Sequence, residues 1–416
     1  MKILTMTLGT RGDVQPFLAL VLGLRAASHD AVLVAPHRYA DFATRFAVPF
    51  AGVDDGPLRL LDGAPIDGGL RARIAQARSM PGTFAPVLAD CWAVARHSQA
   101  QMIVHNGQIL AGPHIAEALG IPAVLAVPLP MYLPTRAFPW PGQQLPTWLP
   151  GRLNKATYLG MKVPAVMFGR VVDSWREHTL GLPRRAGRHD PLRRPDGTAA
   201  PVLHAFSPTL IPPPDDWPRT VATTGFWFTP PSPDPLPAPI EEFLAAGPPP
   251  VYVGFGSMTG PDPAGLTATV IAAARAAGVR LILSTGWGGL TAADADDVRV
   301  VGDVDHRRLF PRTAAVVHHG GAGTTAAAYA AGRPQVICPY VADQPFWASL
   351  AHARGVAPAP LPQRRLTEAR LAAALAHAIS DSTLSRNAAI LGAQIRAERG
   401  VAAAAEALDR RGGTLS

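Results

Sequence analysis

Two cysteines, Cys91 and Cys338, are all that 416 residues contain. They form no disulfide or metal pattern, which excludes a disulfide scaffold and fits a reducing compartment such as the cytoplasm. Lysine is nearly missing: Lys2, Lys155 and Lys162 are the only three among 38 basic residues. The net charge of +8 therefore comes from scattered arginine, with no nucleic-acid-binding motif beside it, and signals no nucleic-acid partner. Arginine for lysine on this scale, with abundant Ala, Gly and Pro, reads as the imprint of a GC-rich bacterial genome. No apolar run reaches the ~20 residues of a membrane span, so a membrane contact is open only as a peripheral one. The start, MKILTMTLGTRGD, lacks the longer apolar segment and cleavage site of a signal peptide.

Several chemistries are also missing. No G-x-S-x-G elbow supports Ser-His-Asp hydrolysis. No His/Cys/Asp cluster has transition-metal spacing. Asp294-Ala295-Asp296-Asp297 resembles a metal-binding D-x-D but reads as a solvated acidic loop. The first strand ends in Gly9-Thr10-Arg11-Gly12, not in a G-x-G-x-x-G dinucleotide fingerprint. Gly254 to Gly260 is G-x-G-x-x-x-G after a strand and alone would suggest an NADP-dependent oxidoreductase. That reading needs a charged group about 20 residues on, and no Asp or Glu lies from Ala264 to Ala293.

What is present is an α/β pattern, twice over. The length suits two domains of about 200 residues each. Lys2–Thr7 and Ala31–Ala35 read as strands around a helix from Val14 to Ala27, a parallel-sheet beginning. Ile103-Val104, Ile121–Val127 and Leu203–Phe206 continue it, the last ending the first half. Asp13 sits at the carboxyl end of the first strand, where it suits either the N-cap of that helix or a base at the mouth of the sheet. His105 and His114 are the next candidates for a base. Between 128 and 150 proline forbids helix, and Met131, Tyr132, Phe138 and Trp140 offer apolar surface, either for a flat ligand or as a packed loop. Fourteen of the 44 prolines fall between Pro208 and Pro250, which reads as an interdomain linker. Domains of 1–207 and 250–416 with a linker at 208–249 follow, and the last helix is free to pack back on the first domain.

In the second half, Val316-Val317-His318-His319-Gly320-Gly321-Ala322-Gly323-Thr324-Thr325 reads as strand, glycine turn and helix start. Unpartnered amides and the positive end of a helix dipole suit a phosphate or diphosphate there. After the next strand, Asp343 and Gln344 put an acid and an amide where open α/β sheets bind ligands.

HHGGAGTT followed by GRPQVICPYVADQPFWA resembles the donor-binding signature of the UDP-glycosyltransferase superfamily, in the branch of sterol glucosyltransferases and bacterial antibiotic glycosyltransferases. LGTRGDVQPF, from Leu8 to Phe17, resembles the same branch's amino-terminal motif. The resemblance implies the GT-B fold, two Rossmann-like domains facing each other, the first for the acceptor and the second for a UDP- or dTDP-sugar. It implies that His319, Gly321, Gly323, Thr324, Gly256 and Ser257 meet the diphosphate and that Asp343 and Gln344 meet the sugar. Trp287 and the Asp303–His306 stretch would surround the base, and Thr10 and Arg11 would reach the diphosphate or sugar. Asp13 matches the branch's general base. The implied enzyme inverts the anomeric centre and uses no metal or cofactor, the nucleotide-sugar being a co-substrate; a non-catalytic sugar-nucleotide-binding auxiliary is the rival. One departure stands out: the glutamate that many members carry eight positions after the histidine is Ala327 here. The sugar, the acceptor and the oligomeric state are not fixed by these motifs.

Overall fold

The computed structural model describes residues 1–62, 70–143, 145, 148–184, 189–232, 234–256, 262–286 and 293–412. The chain divides into two compact units: Met1–Trp140, Leu145–Thr229 and Glu398–Ser416 form the first, Pro141–Gln144 and Pro230–Ala397 the second.

The first unit runs β1 (Lys2–Met6), α1 (Arg11–Ala26), β2 (Asp30–Pro36), α2 (Ala40–Arg45), β3 (Phe50–Val53), α3 (Gly56–Asp62), α4 (Leu70–Arg96), β4 (Met102–His105), α5 (Gly112–Leu119), β5 (Ala123–Val127), α6 (Gly151–Thr157), α7 (Lys162–Trp175), β6 (Val202–His204) and β7 (Val221–Thr223). Its strands form one parallel sheet in the order β3-β2-β1-β4-β5-β6-β7. The second unit runs α8 (Ala238–Ala245), β8 (Val251–Gly254), α9 (Pro263–Ala276), β9 (Leu281–Ser284), β10 (Val298–Val301), α10 (His306–Leu309), β11 (Ala315–His318), α11 (Ala322–Ala331), β12 (Gln335–Ile337), α12 (Gln344–Ala353), α13 (Glu368–Ser380) and α14 (Ser382–Ala397). Its sheet is also parallel, in the order β10-β9-β8-β11-β12.

A parallel sheet covered on both faces needs strands apolar on both sides, and β4 and β8 are buried at every position. On one face of the first sheet, Phe17, Leu18, Val21 and Leu24 of α1 pack with Ala404 and Leu408. Those two belong to α15 (Gly400–Gly412), the last helix, which returns to the first unit. A Cβ on Gly23 of α1 would lie 2.0 Å from Val401, so the two helices meet through a glycine. On the other face, Phe84, Leu88 and Cys91 of α4 pack with Ile115 and with Phe168, Val172 and Trp175 of α7.

Local details differ from the sequence reading. Helix α1 starts at Arg11, three residues before Val14, because Thr10 caps it. Helix α4 runs unbroken from Leu70 to Arg96 with Pro81 and Pro86 inside it, where proline would be expected to split it in two. Burial of Phe84, Val87, Leu88 and Cys91 outweighs the ~3 kcal/mol cost of an interior proline. Strand β7 pairs with β6, so Val202–His204 is not the last strand of the first sheet. The proline-rich stretch also holds α8, whose Ile240 and Phe243 join the second core.

Arg176, in a π-helical turn after α7, is 1% exposed. It donates to both carboxylate oxygens of Glu117 (2.7 and 3.0 Å), twice to the carbonyl of Pro183 (3.1 and 2.9 Å) and to Nδ1 of His114 (2.8 Å). Arg176→Ala is expected to lower unfolding free energy by about 3–5 kcal/mol, since it strands a half-buried carboxylate. Breaking the exposed Arg275–Asp297 pair should leave stability nearly unchanged, since solvent screens it. Urea denaturation of both variants checks the contrast.

Candidate functional site

Ligands in open parallel sheets gather at the carboxyl ends of strands where strand order reverses. In the first unit that point lies between β1 and β4. Asn106, just after β4, ties the two departing loops together. Its amide donates to Thr7 Oγ1 (3.0 Å) and the Leu8 carbonyl (2.7 Å), and its oxygen accepts from the backbone N–H of Leu8, Gln108 and Ile109.

Asp13 stands over this junction as the third residue of α1, not as its N-cap. Its Oδ2 accepts from the Thr10 backbone N–H (2.8 Å) and the Thr10 hydroxyl (3.0 Å). Its Oδ1 accepts from Nε2 of Gln108, 3.1 Å away on the β4 loop. Gly9 has φ +138°, and a Cβ there would lie 2.4 Å from Asp13 Oδ2 and 2.5 Å from the Gln108 oxygen. Only glycine lets the chain pass so close to the carboxylate. Burial pushes the Asp13 carboxyl above its ordinary pKa, and the Thr10 and Gln108 hydrogen bonds pull the other way without cancelling it.

Tyr132 reaches the same place. A Cβ on Gly107 would lie 2.0 Å from its hydroxyl, whose pKa is raised by burial first and by the charge of Asp13 second. The other apolar candidates sit elsewhere on the loop. Phe138 meets Trp217 edge-on at 6.4 Å. The Trp140 backbone N–H donates to Thr157 Oγ1 (2.8 Å), and its ring lies over Gly160. Met131 is half-buried. Arg11 donates to Gln15 (3.3 Å) and lies over the Phe42 ring, 5.0 Å from its centre. His105 is buried against Gly112, its pKa pushed down to about 4, and His114 is held by Arg176.

The second unit reverses strand order between β8 and β11. The adjacent histidines divide the work. His318 is fully buried; its Nε2 pairs with the Gln335 side-chain oxygen (2.9 Å) and its Nδ1 accepts from Gly320 N–H (3.0 Å), fixing the turn. His319 lies between the two loops: a Cβ on Gly256 would be 3.2 Å from its Cε1, and one on Gly321 2.4 Å from its Nε2. Burial holds its pKa down to about 4, against a backbone hydrogen bond at Gly254, and its buried Nδ1 has no partner among the described residues. Gly321 is the N-cap of α11, so Gly323 and Thr324 lie in that helix's first turn, beside His319.

Asp343 precedes α12, and its Oδ2 accepts from Trp347 Nε1 (2.9 Å). Gln344 is buried, its oxygen accepting from the backbone N–H of Tyr340 (2.7 Å) and Val341 (3.1 Å), so it shapes the loop that presents Asp343. Ala342 within that loop has φ +55°, a conformation costing roughly 1–2 kcal/mol for a non-glycine residue. Asp305 caps α10 through Arg307 N–H (2.8 Å) and accepts from Ser232 N–H (2.7 Å), while His306 stacks on Phe310. Ser257 and Trp287 lie outside the described residues. Ala327 faces the core with Tyr252, Phe310 and Val316. The acidic loop is tied down by ion pairs, Asp294 to Arg299 and Asp297 to Arg275.

Gln108 and Asn106 were not singled out from the sequence. No motif marks them; they matter because β4 pairs with β1 across 98 residues of chain, as the Leu8–Asn106 bond spans.

Residues 3–138 match the glycosyltransferase family 28 N-terminal domain, and residues 272–408 match the erythromycin biosynthesis protein CIII-like C-terminal domain. The chain is 32% identical to a sterol 3-beta-glucosyltransferase of Cryptococcus neoformans and 33% identical to one of Emericella nidulans, with 99% of the chain aligned in each case. It spans 27% and 30% of those relatives' lengths. Among solved structures, a glycosyltransferase of kitacinnamycin superposes with TM-score 0.73 at 19% identity, covering 98% of both chains. SnogD from Streptomyces nogalater gives 0.68 at 20% identity over 99% of both. VinC, solved in complex with dTDP, gives 0.69 at 19% over 100% of both. These likenesses make the fold GT-B. The two family models and the curated relatives support the resemblance to the UDP-glycosyltransferase superfamily, in the branch that holds the sterol glucosyltransferases.

Proposed function

We propose that the chain is an inverting glycosyltransferase that moves a sugar from a nucleoside-diphosphate donor to a hydroxyl of an apolar small molecule such as a sterol or polyketide. The observation that carries this reading is the pairing, in one chain, of two switch-point sites of opposite chemistry. One presents a carboxylate of raised pKa held by neutral donors. The other presents a helix amino terminus beside a buried, neutral histidine. The names of the curated relatives and the solved neighbours support both the reaction and the acceptor class.

In this mechanism the acceptor oxygen attacks the anomeric carbon while Asp13 takes its proton. The bond to the diphosphate breaks on the opposite side, its electron pair leaves with the phosphate oxygen, and one displacement inverts the centre. The first-turn amides of α11 and His319 meet the charge that grows on the leaving group, without an ion. Among the described residues, no cluster of His, Cys, Asp or Glu is placed to hold one. Ala327, turned into the core, offers the ribose no carboxylate, which favours dTDP over UDP as the nucleotide. Calorimetry with the two nucleotides, without added metal, tests that preference; tighter binding of UDP would refute it.

Asp13→Asn should reduce turnover about 10²–10⁴-fold, because an amide cannot take the proton. Nucleotide affinity should stay unchanged, since the loss lies in the transition state. The melting temperature at neutral pH should hold or rise. A carboxyl whose pKa is raised on folding destabilises the fold while ionised, and that penalty fades only as pH falls through the raised value. Wild-type kcat/KM should rise with pH through an apparent pKa above the ordinary 3.8 and then level, because only the ionised form is a base. A mutant with wild-type turnover would remove Asp13 from the mechanism.

His319→Ala should weaken nucleotide binding by about 1.5–3 kcal/mol, the range for a lost hydrogen bond to a charged group. Titration calorimetry measures it directly. Affinity indifferent to this change would place the diphosphate elsewhere.

A further inference from the structure

Helix α7 is apolar on two opposite sides. Phe168, Val172 and Trp175 face the core, with Phe168 4.5 Å from Phe84 ring to ring. Val163 and Val166 face outward, joined by Leu159 from the short turn before the helix. They line a shallow groove with Lys162 and Met167. Seven large hydrophobic residues are exposed among the described ones, and five lie between 148 and 166. Trp148 is 78% exposed, Leu159 and Val163 61% each, Val166 58% and Leu153 51%. A soluble surface seldom gathers so many in one stretch.

This platform is not loose. Asn154 of α6 donates to the Arg136 carbonyl (3.0 Å), and Thr157 accepts from Trp140 N–H (2.8 Å). The far end of α7 runs into the Arg176 anchor. The outward stripe is therefore presented by a helix fixed on its other side.

The charges that the stretch itself carries are of one sign. No Asp or Glu occurs between Glu117 and Asp173, whereas Arg136, Arg152, Lys155, Lys162 and Arg170 all fall there. Two of the chain's three lysines are among them. Lys155 lies 3.8 Å from Asp216. Arg152, Lys162 and Arg170 are exposed and have no carboxylate partner among the described residues. A second copy docking on this face by two-fold symmetry would set Arg152, Lys162 and Arg170 against their own counterparts, with Asp216 already engaged by Lys155 and the Arg136 backbone N–H. A shallow, exposed apolar groove on a stretch rich in unpaired cations, with an exposed tryptophan eleven residues before Leu159, matches what an interfacial segment needs.

We infer that this face of the first unit docks on an anionic lipid surface, with Trp148, Leu159, Val163 and Val166 entering the headgroup region and Arg152, Lys162 and Arg170 meeting lipid phosphates. This docking does not depend on the proposed sugar transfer and needs neither donor nor acceptor.

The test is sedimentation of the full chain with vesicles of phosphatidylglycerol and phosphatidylcholine, against phosphatidylcholine alone. Binding is expected only with the anionic vesicles and should fall as salt is raised. Leu159→Ser with Val163→Ser, and separately Arg152→Glu with Lys162→Glu, should each weaken it about tenfold or more. All four positions are exposed, so melting temperature and nucleotide binding should not move. Failure to bind anionic vesicles overturns the inference, as does binding that survives both double variants. A wild-type dimer in solution that Val163→Glu dissociates would also overturn it, by assigning the face to a second copy.

Discussion

A parallel strand must send its chain back over one face of the sheet before the next strand can begin. All such crossovers share one hand, so the direction in which strands are added fixes the face. Where the order reverses, neighbouring strands send their chains to opposite faces and their loops part. Both units contain this parting, at β1 and β4 and at β8 and β11. Each site candidate that the structure draws together stands at one of them. The glycines Gly9, Gly256 and Gly321 keep the partings open, for a side chain at each would run into Asp13 or His319.

The sites hold groups that a protein selected for stability alone would avoid. Asp13 keeps a carboxylate where burial opposes its charge. His319 leaves a buried nitrogen without a partner among the described residues. Ala342 adopts a backbone conformation suited to glycine. Each works against the stability of the fold. The opposing contribution comes from two sheets covered on both faces and from fixed points such as Arg176.

Much of this was legible in the sequence because it is local. The glycine turn after β11, its helix start and the strand at Gln335 have fixed spacing, and the structure keeps them in that register. Strand β3 escaped because Phe50-Ala51-Gly52-Val53 is short and sits at a sheet edge, without a long apolar run. Asp13 was legible as a residue at the mouth but not as the third position of its helix, because a Thr-x-x-Asp pair can cap in either sense until the hydrogen bonds are seen. Gln108 was invisible, since nothing in its neighbourhood marks it; only the pairing of β4 with β1 brings it to Asp13. Gln344 follows β12, as its spacing implies, but it spends its oxygen on the backbone of its own loop, a local bond that no motif announces.

The return of α15 to the first unit has a consequence for how the molecule is made. Gly225 and Gly400 touch: a Cβ on Gly225 would lie 3.2 Å from the Cα of Gly400, and Ser207 donates to Glu398 at 2.5 Å. The second unit is thus inserted between two points of the first that are already neighbours. A ribosome delivers the whole of the inserted unit before it delivers Ala404 and Leu408, which complete the first unit's core. The half that begins synthesis first is therefore the last to close, and the nascent chain must carry an unfinished apolar surface on α1 while the insert folds.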